Sequence, residues 1–447
     1  MRFVINQAGC SSERIGSLRG FVKSPTASIE TPASALFTQS GSVVHLTNEV
    51  LAKVFTNPKL LWVPLSKSYQ LETGLKAQGE GVAKFAGLQN HLTCVTLHAV
   101  SEVTPTGHFE SDLVPLWTKN GKKMISANRY MDLMEVFKPD IILAIADGHT
   151  SLDESFKRIT KSLDRTSNML NLCVTRQKAS ANLQDSSLIG VIVGVGDERK
   201  CDQSIRNLLT HKDSLSGVAL EGITNGTEES LAVPIEKLEA IFKRVSNAIP
   251  KDFLRIIEGC WNPAVIVTAI EYGWDLFDGS YPLKLTNAGH ALALNLSINK
   301  TSNENRKDGD DQDSKELCIL DLNDERYKDD FQPILVNCEC LSCKKHTRAY
   351  IRHLLNTREM LSSVLLSIHN LHHFDQLFHH ARLHIASRTF DAYKRHIIQQ
   401  YDLYKQRLKD TTTEVIQVNM NNKKQKSKRL RVSDDDTSNV VNSNNSS

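Results

Sequence analysis

The stretch Asp140-Ile-Ile-Leu-Ala-Ile-Ala146-Asp147 decides how this chain folds. A short apolar run, rich in β-branched residues and ending in a carboxylate, reads as a strand buried on both faces. Comparable runs lie at Val43 to Leu46, Leu60 to Leu65, Leu92 to Leu97, Leu188 to Val193, Gly217 to Leu220, Leu254 to Ile257 and Trp274 to Phe277, with amphipathic stretches between them. Parallel strands covered by helices produce that alternation, and eight such units close a (β/α)8 barrel. An open doubly wound sheet shares the same periodicity. The barrel is favoured by Asp147, Glu221, Glu258 and Asp278, each of which directly follows a predicted strand. In a barrel those ends converge on one face, where two carboxylates can divide the work of nucleophile and proton-transfer base. Any single one, taken alone, is read first as the cap of the helix that follows it. Ser151-Leu-Asp-Glu154 has the form of a capping box. With Leu152, Phe156, Ile159, Leu163, Leu170 and Cys173 at helical spacing, it predicts a long helix on the outside of the barrel.

A second constellation is Cys338-Glu-Cys340-Leu-Ser-Cys343, followed by His369. Three thiolates and an imidazole complete a closed tetrahedral zinc site with no position left for water or substrate. The competing reading is a set of buried free thiols, and His346, His353, His372 and His373 are alternative fourth ligands. The other cysteines, Cys10, Cys94, Cys173, Cys201, Cys260 and Cys318, are scattered, which suits reduced thiols better than a disulfide framework. A length of 447 residues with 40% hydrophobic composition supplies a large core, and a net charge of +3 neither demands nor excludes a nucleic-acid partner. No apolar run reaches membrane-spanning length, and Met1 to Arg19 lacks the apolar centre of a secretory signal, leaving a mitochondrial address open.

The composition divides the chain into a barrel over 1–298, a polar surface insertion over 299–316, a zinc-binding subdomain with C-terminal helices over 317–410, and a disordered polar tail over 411–447. Asp308-Gly-Asp-Asp311 lacks the spacing of a calcium loop, and Gly194-Val195-Gly196 is followed by neither a Walker lysine nor a dinucleotide fingerprint. Arg382, Arg388, Lys394, Arg395, Lys405, Arg407 and Lys409 could track phosphates, or form the solvated face of a helix whose other side is Leu383, Phe390, Tyr393, Ile397 and Tyr401.

Together with Thr347-Arg348-Ala349-Tyr350-Ile351, His353-Leu354 and Ile368-His369-Asn370-Leu371, the cysteine segment resembles the zinc subdomain of the tRNA-guanine transglycosylases. Gly273-Trp-Asp275-Leu276-Phe277-Asp278 resembles that family's Gly-x-Asp-Met-Phe-Asp strand, with Pro282 and Gly289-x-Ala291 at the family's offsets. Phe137-Lys-Pro139-Asp140 and Lys161-Ser162 to Asp164-Arg165 also fit, so the resemblance runs from Gly16 to Arg388. It implies a (β/α)8 barrel with one zinc ion on Cys338, Cys340, Cys343 and His369. The family exchanges an anticodon guanine for a 7-deazaguanine base through a covalent bond between tRNA ribose and an aspartate, and Asp278 matches that nucleophile. The general-base motif Asp-Ser-Gly-Gly-Phe-Gln is absent from the corresponding region, Leu92 to Glu102. Likewise Pro-Thr-Arg has become Pro282-Leu283-Lys284, Gln-Gly-Gly has become Gly194-Val195-Gly196, and Gly-Gly-Leu has become Glu221-Gly222-Ile223.

The resemblance and its departures imply a non-catalytic accessory subunit, with no catalytic residue expected. Such a subunit forms a heterodimer with a catalytic paralogue, which inserts queuine at the wobble position of the aspartate, asparagine, histidine and tyrosine tRNAs. The implied location is the cytoplasm, with peripheral attachment to the mitochondrial outer membrane as a variant. The alternatives are a self-sufficient transglycosylase with Asp278 as nucleophile and Asp147 or Glu258 handling the proton, and a zinc-stabilised scaffold for protein or RNA.

Overall fold

Parallel strands that alternate between two apolar environments build the centre of the molecule. A computed structural model describes every residue except 100, 104, 106–109, 111, 149, 225–231, 299–317 and 411–447, so the polar insertion and tail lie outside the described residues. The main sheet runs through Ala33–Ser34, Leu276–Phe277, Leu254–Ile257, Gly217–Leu220, Ser187–Ile192, Ile141–Leu143, Leu92–Thr96, Leu60–Pro64 and Leu36–Gln39 in neighbouring order. Its two ends, Ala33–Ser34 and Leu36–Gln39, are halves of one run, so the sheet closes on itself as a barrel of parallel strands. Ala33 N–H donates to Asp275 O at 2.9 Å and Ala35 N–H to Phe277 O at 2.8 Å, which completes the ring. Gly279 permits this closure, because a Cβ there would stand 1.9 Å from Ala35 O.

The first strand is therefore Ala33 to Gln39, not the expected Val43 to Leu46. Val43 instead belongs to Ser42–Val43, a short antiparallel return against Leu36–Gln39. The predicted run read as an isolated strand, but a turn at Ser40-Gly41 folds it back on the strand before it. The capping box is also corrected. Helix Phe156–Ala179 is capped by Ser155, whose hydroxyl accepts from Arg158 N–H, and Ser151 makes only a turn to Glu154. The Glu that a box needs must follow its cap by three residues inside the helix, and the helix begins too late for Ser151.

Successive side chains of a strand point to opposite faces, and the barrel shows it cleanly. Leu60, Trp62, Leu92, Cys94, Ile189, Val191, Leu254 and Ile256 fill the interior, while Leu61, Val63, Val95, Leu188, Ile192 and Ile257 face the helices. Each fully buried side chain of this kind contributes about 1.5–3 kcal/mol, which explains why the strands lack polar alternation. The far end of the barrel is stopped by the antiparallel sheet Arg2–Ala8, Arg14–Arg19 and Ile29–Thr31. Arg14 anchors that sheet by a bidentate pair with the fully buried Asp275 and by donation to Phe253 O. A buried charge pair that also satisfies backbone groups is expensive to break on one side only.

After the last barrel strand the chain continues through His290–Leu292, which pairs antiparallel with Ile319–Asp321, to the helices Leu341–Lys345, Arg348–Asn356 and Met360–Ala386 and a helix over 390–410. Helix Met360–Ala386 lies against both the barrel and the 290–296 segment, and Phe374 and Phe378 reach Tyr281 and Phe277. No helix among the described residues is long and apolar enough to cross a membrane.

Candidate functional site

Two clusters of ionisable groups stand out, and the more compact is the cysteine segment. Leu341–Lys345 is a single helical turn whose first free amide, Cys343 N–H, is capped by Cys340 Sγ at 3.3 Å. That turn swings Cys343 back beside Cys340 and Cys338. Ser342 donates to Leu365 O at 2.7 Å, and buried Arg348 bonds Ile334 O and Asp330, so both flanks of the loop are tied to helices. From helix Met360–Ala386, His369 presents Nδ1 to the sulfurs at 3.7, 3.6 and 3.2 Å for Cys338, Cys340 and Cys343.

Bond lengths of about 2.3 Å to sulfur and about 2.0–2.1 Å to nitrogen, at a tetrahedral angle, require about 3.6 Å between donors. The four donor atoms lie within 4.8 Å of one another and could hold a metal ion. His369 Nε2 is 2.7 Å from Leu292 O, which places the ring proton on Nε2 and leaves the Nδ1 lone pair for the cluster. His346, His353, His372 and His373 are outside it. His373 stacks on His369 with ring centroids 5.7 Å apart and bonds Leu294 O, and burial pushes its pKa down to about 3. The thiols polarise one another. Cys340 is driven down to about 3, first by Cys338, while Cys343 is driven up, first by Cys338.

Sequence reading quoted Asn370 within a motif but gave it no role. It is fully buried, its Oδ1 accepts from Leu292 N–H, and its Nδ2 donates to Thr286 Oγ1 and His290 O. With His369 and His373 it fastens one helix to the chain leaving the barrel. A polar residue inside the apolar run of that helix was the available signal.

The second cluster is the barrel mouth, where the structure brings together the carboxylates predicted after the strands. Asp147 is fully buried and bidentate to Arg158, with Arg165 at 2.9 Å, so it is neutralised by the helix that follows its strand. Glu221 and Glu258 share a hydrogen bond, and Thr96, at the end of the third strand, donates to Glu258 Oε1 at 2.5 Å from across the barrel. Gly148 leaves room for this pair, because a Cβ there would stand 1.7 Å from Glu221 Oε2. Burial raises the Glu221 pKa to about 7, and burial followed by repulsion from Glu221 raises Glu258 well above the carboxylate range. Both shifts act in one direction, favouring a proton shared between the two carboxyls.

Asp278 is 3% exposed, and its own backbone surrounds it. Oδ2 accepts from Gly259 N–H at 2.7 Å, and Oδ1 accepts from Ser280 N–H at 2.9 Å and Ser280 Oγ at 2.5 Å. Burial raises it to about 6 against those bonds. The Leu92 to Glu102 region places Ala99 N–H on Ser66 Oγ, and it contributes Thr96 and no carboxylate to the Glu258 contact. Of the cations read as a basic stripe, Arg382 bonds Pro32 O, Lys394 pairs with Glu271, Arg395 with Asp391 and Lys405 with Asp402.

The family model described as Queuine tRNA-ribosyltransferase matches residues 10–403. Proteins named Queuine tRNA-ribosyltransferase accessory subunit 2 are similar along nearly the whole chain. The one from Anopheles gambiae is 33% identical over 405 residues, covering 90% of this chain and 91% of its own. The one from Drosophila virilis is 32% identical over 426 residues, covering 95% and 96%. The one from Aedes aegypti is 31% identical over 403 residues, covering 90% and 93%. A barrel ringed by carboxylates, a Cys3His group beside it and a family match that spans both place the chain in the queuine tRNA-ribosyltransferase family.

Proposed function

We propose that this chain is the non-catalytic accessory subunit of a two-chain queuine tRNA-ribosyltransferase, assisting a catalytic paralogue in exchanging guanine for queuine at the wobble position of tRNA. The observation that carries the reading is the state of Asp278. A carboxylate that attacks a sugar carbon must be ionised and open to its substrate. Here both oxygens are engaged by Gly259 and Ser280 and the group is 3% exposed, so the carboxylate is tied up within the chain and closed to a sugar carbon. Its neighbours Glu221 and Glu258 are buried against each other, which favours their protonated forms, and Asp147 is neutralised by two arginines. The relatives' shared name points the same way.

The chain's contribution is then to bind and position. Zinc is the metal that three cysteines and a histidine at these separations fit, and it would supply a closed structural cross-link, with no reactive position. Cys338, Cys340 and Cys343 would anchor the loop and His369 the long helix, holding the 331–361 surface in shape. That surface exposes Phe331, Val336, Tyr350, Met360 and Leu361, apolar groups of the kind a partner subunit covers. The reading carries with it a heterodimer in the cytoplasm, with the mitochondrial surface as a site of peripheral attachment.

The test is exchange of labelled base into tRNA by the purified chain alone and after addition of the catalytic paralogue. Activity only in the mixture is expected. Turnover by the chain alone would make Asp278 a working nucleophile and overturn the reading.

A further inference from the structure

The cations of the C-terminal helices are largely engaged within the chain, so an RNA contact has to be sought elsewhere. At the rim of the barrel mouth, Phe156 opens helix Phe156–Ala179 and is 64% exposed. Lys200, in the first turn of helix Glu198–Leu209, places its ammonium 4.9 Å from the centre of the Phe156 ring. The two strand-to-helix loops that present them are in close contact, since a Cβ on Gly196 would stand 2.3 Å from Leu152 O. Arg158, two residues on, is held by Asp147 at the mouth itself, which fixes the position of Phe156 at that face.

The charges around the ring are unbalanced. Asp153 is paired with Lys237 and Glu198 with Arg244, so two of the local acids are neutralised by other helices. Lys157, Lys161 and Arg199 are exposed, and no carboxylate pairs with any of them among the described residues. Glu154, Asp164 and the helix cap Asp197 border the patch, three acids against the four cations Lys157, Lys161, Arg199 and Lys200, and leave it net positive. No other large apolar side chain of these two loops and helix starts is exposed, so the ring stands alone among cations. A protein partner would need a wider apolar patch. An aromatic face bordered by lysines is what a single-stranded nucleic acid requires, one surface for a base and charges for the phosphates on either side.

We propose that Phe156, backed by Lys200, is a stacking platform for an unpaired base of RNA, with Lys157, Lys161 and Arg199 holding the adjacent phosphates. This rests on the reading of the chain as part of a tRNA-modifying complex and names the surface it uses. Lys200 covers one face of the ring and draws electron density toward it, leaving the opposite face for the base.

The experiment is fluorescence anisotropy of the complex with its catalytic paralogue, titrated onto a labelled anticodon stem-loop RNA and onto a fully paired RNA duplex across a salt series. Phe156→Ala should weaken stem-loop binding about ten-fold, with the salt slope and the duplex affinity unchanged. Phe156→Trp should restore it. Lys157→Gln/Lys161→Gln should lower the salt slope by about two. Unchanged stem-loop affinity in Phe156→Ala, measured in a complex that assembles normally, would overturn the proposal. So would equal losses for stem-loop and duplex, or a loss of paralogue binding in place of RNA binding. If the wild-type chain never joins the paralogue, the accessory reading fails, and the same titration on the chain alone still decides the platform.

Discussion

The cysteine cluster and the barrel mouth both gather ionisable side chains away from water, yet they resolve the cost of doing so in opposite ways. At the mouth, Asp147 is met by arginines, Glu258 by Thr96 and Glu221, and Asp278 by Gly259 and Ser280. Every carboxylate finds its compensation inside the chain. At the cysteines, three sulfurs and His369 Nδ1 converge on a common point, His369 being turned to face it by Leu292 O, with the Cys343 amide donating to one sulfur. A buried polar cluster that satisfies itself is structure, and one whose lone pairs converge on one point suits a cation. The two clusters therefore call for different perturbations.

The largest effect is expected at the cysteines. Cys343→Ala should abolish stoichiometric metal and lower stability by several kcal/mol, a part of the roughly 10–16 kcal/mol that structural zinc contributes to small metal-dependent domains. Metal analysis and thermal melts on the same preparation check it, and full metal occupancy in the variant would show that the ligand set is wrong. Next comes the staple beside the cluster. Asn370→Ala leaves Leu292 N–H, His290 O and Thr286 without their partner and should cost about 2–4 kcal/mol by denaturant unfolding, with metal content retained. Loss of metal in that variant would mean that the two features are one unit.

A smaller and signed effect belongs to the mouth. The folded pKa of Glu221, about 7, lies above its ordinary 4.5, so the folded chain holds a proton that the unfolded chain has released between those values. Stability therefore falls as pH rises through that window, by up to about 3 kcal/mol, and Glu258 and Asp278 act with the same sign. Glu221→Gln/Glu258→Gln should flatten the decline and gain on the wild type at pH 8, leaving the part due to Asp278. An unchanged pH profile of unfolding would show that the pair shares no proton. The smallest effect is expected from Asp278→Asn in the assembled heterodimer, where base exchange should stay within about two-fold of wild type, a change of about 0.4 kcal/mol in barrier. Loss of turnover and of a covalent tRNA adduct would move Asp278 from scaffold to catalyst.

What the sequence by itself determined about this protein is everything written in short-range spacing. Two-sided apolar runs marked most of the barrel strands, a carboxylate after a strand marked the mouth, and three cysteines within six residues marked a candidate metal cluster whose fourth member spacing left open among five histidines. These survive because strand alternation, helix periodicity and ligand geometry depend on neighbours a few residues apart. Only the tertiary structure decided that Ala33 to Gln39 closes the barrel, since strands this short carry too little pattern and their pairing with Leu276–Phe277 spans most of the chain. It alone joined Arg14 to Asp275, Thr96 to Glu258 and Asn370 to the 290–292 backbone. It also turned residues that read as possible catalysts or phosphate-tracking cations into partners of one another. A carboxylate or a lysine announces its charge in the sequence, but its chemistry depends on which group lies within about 3 Å. Folding supplies that distance.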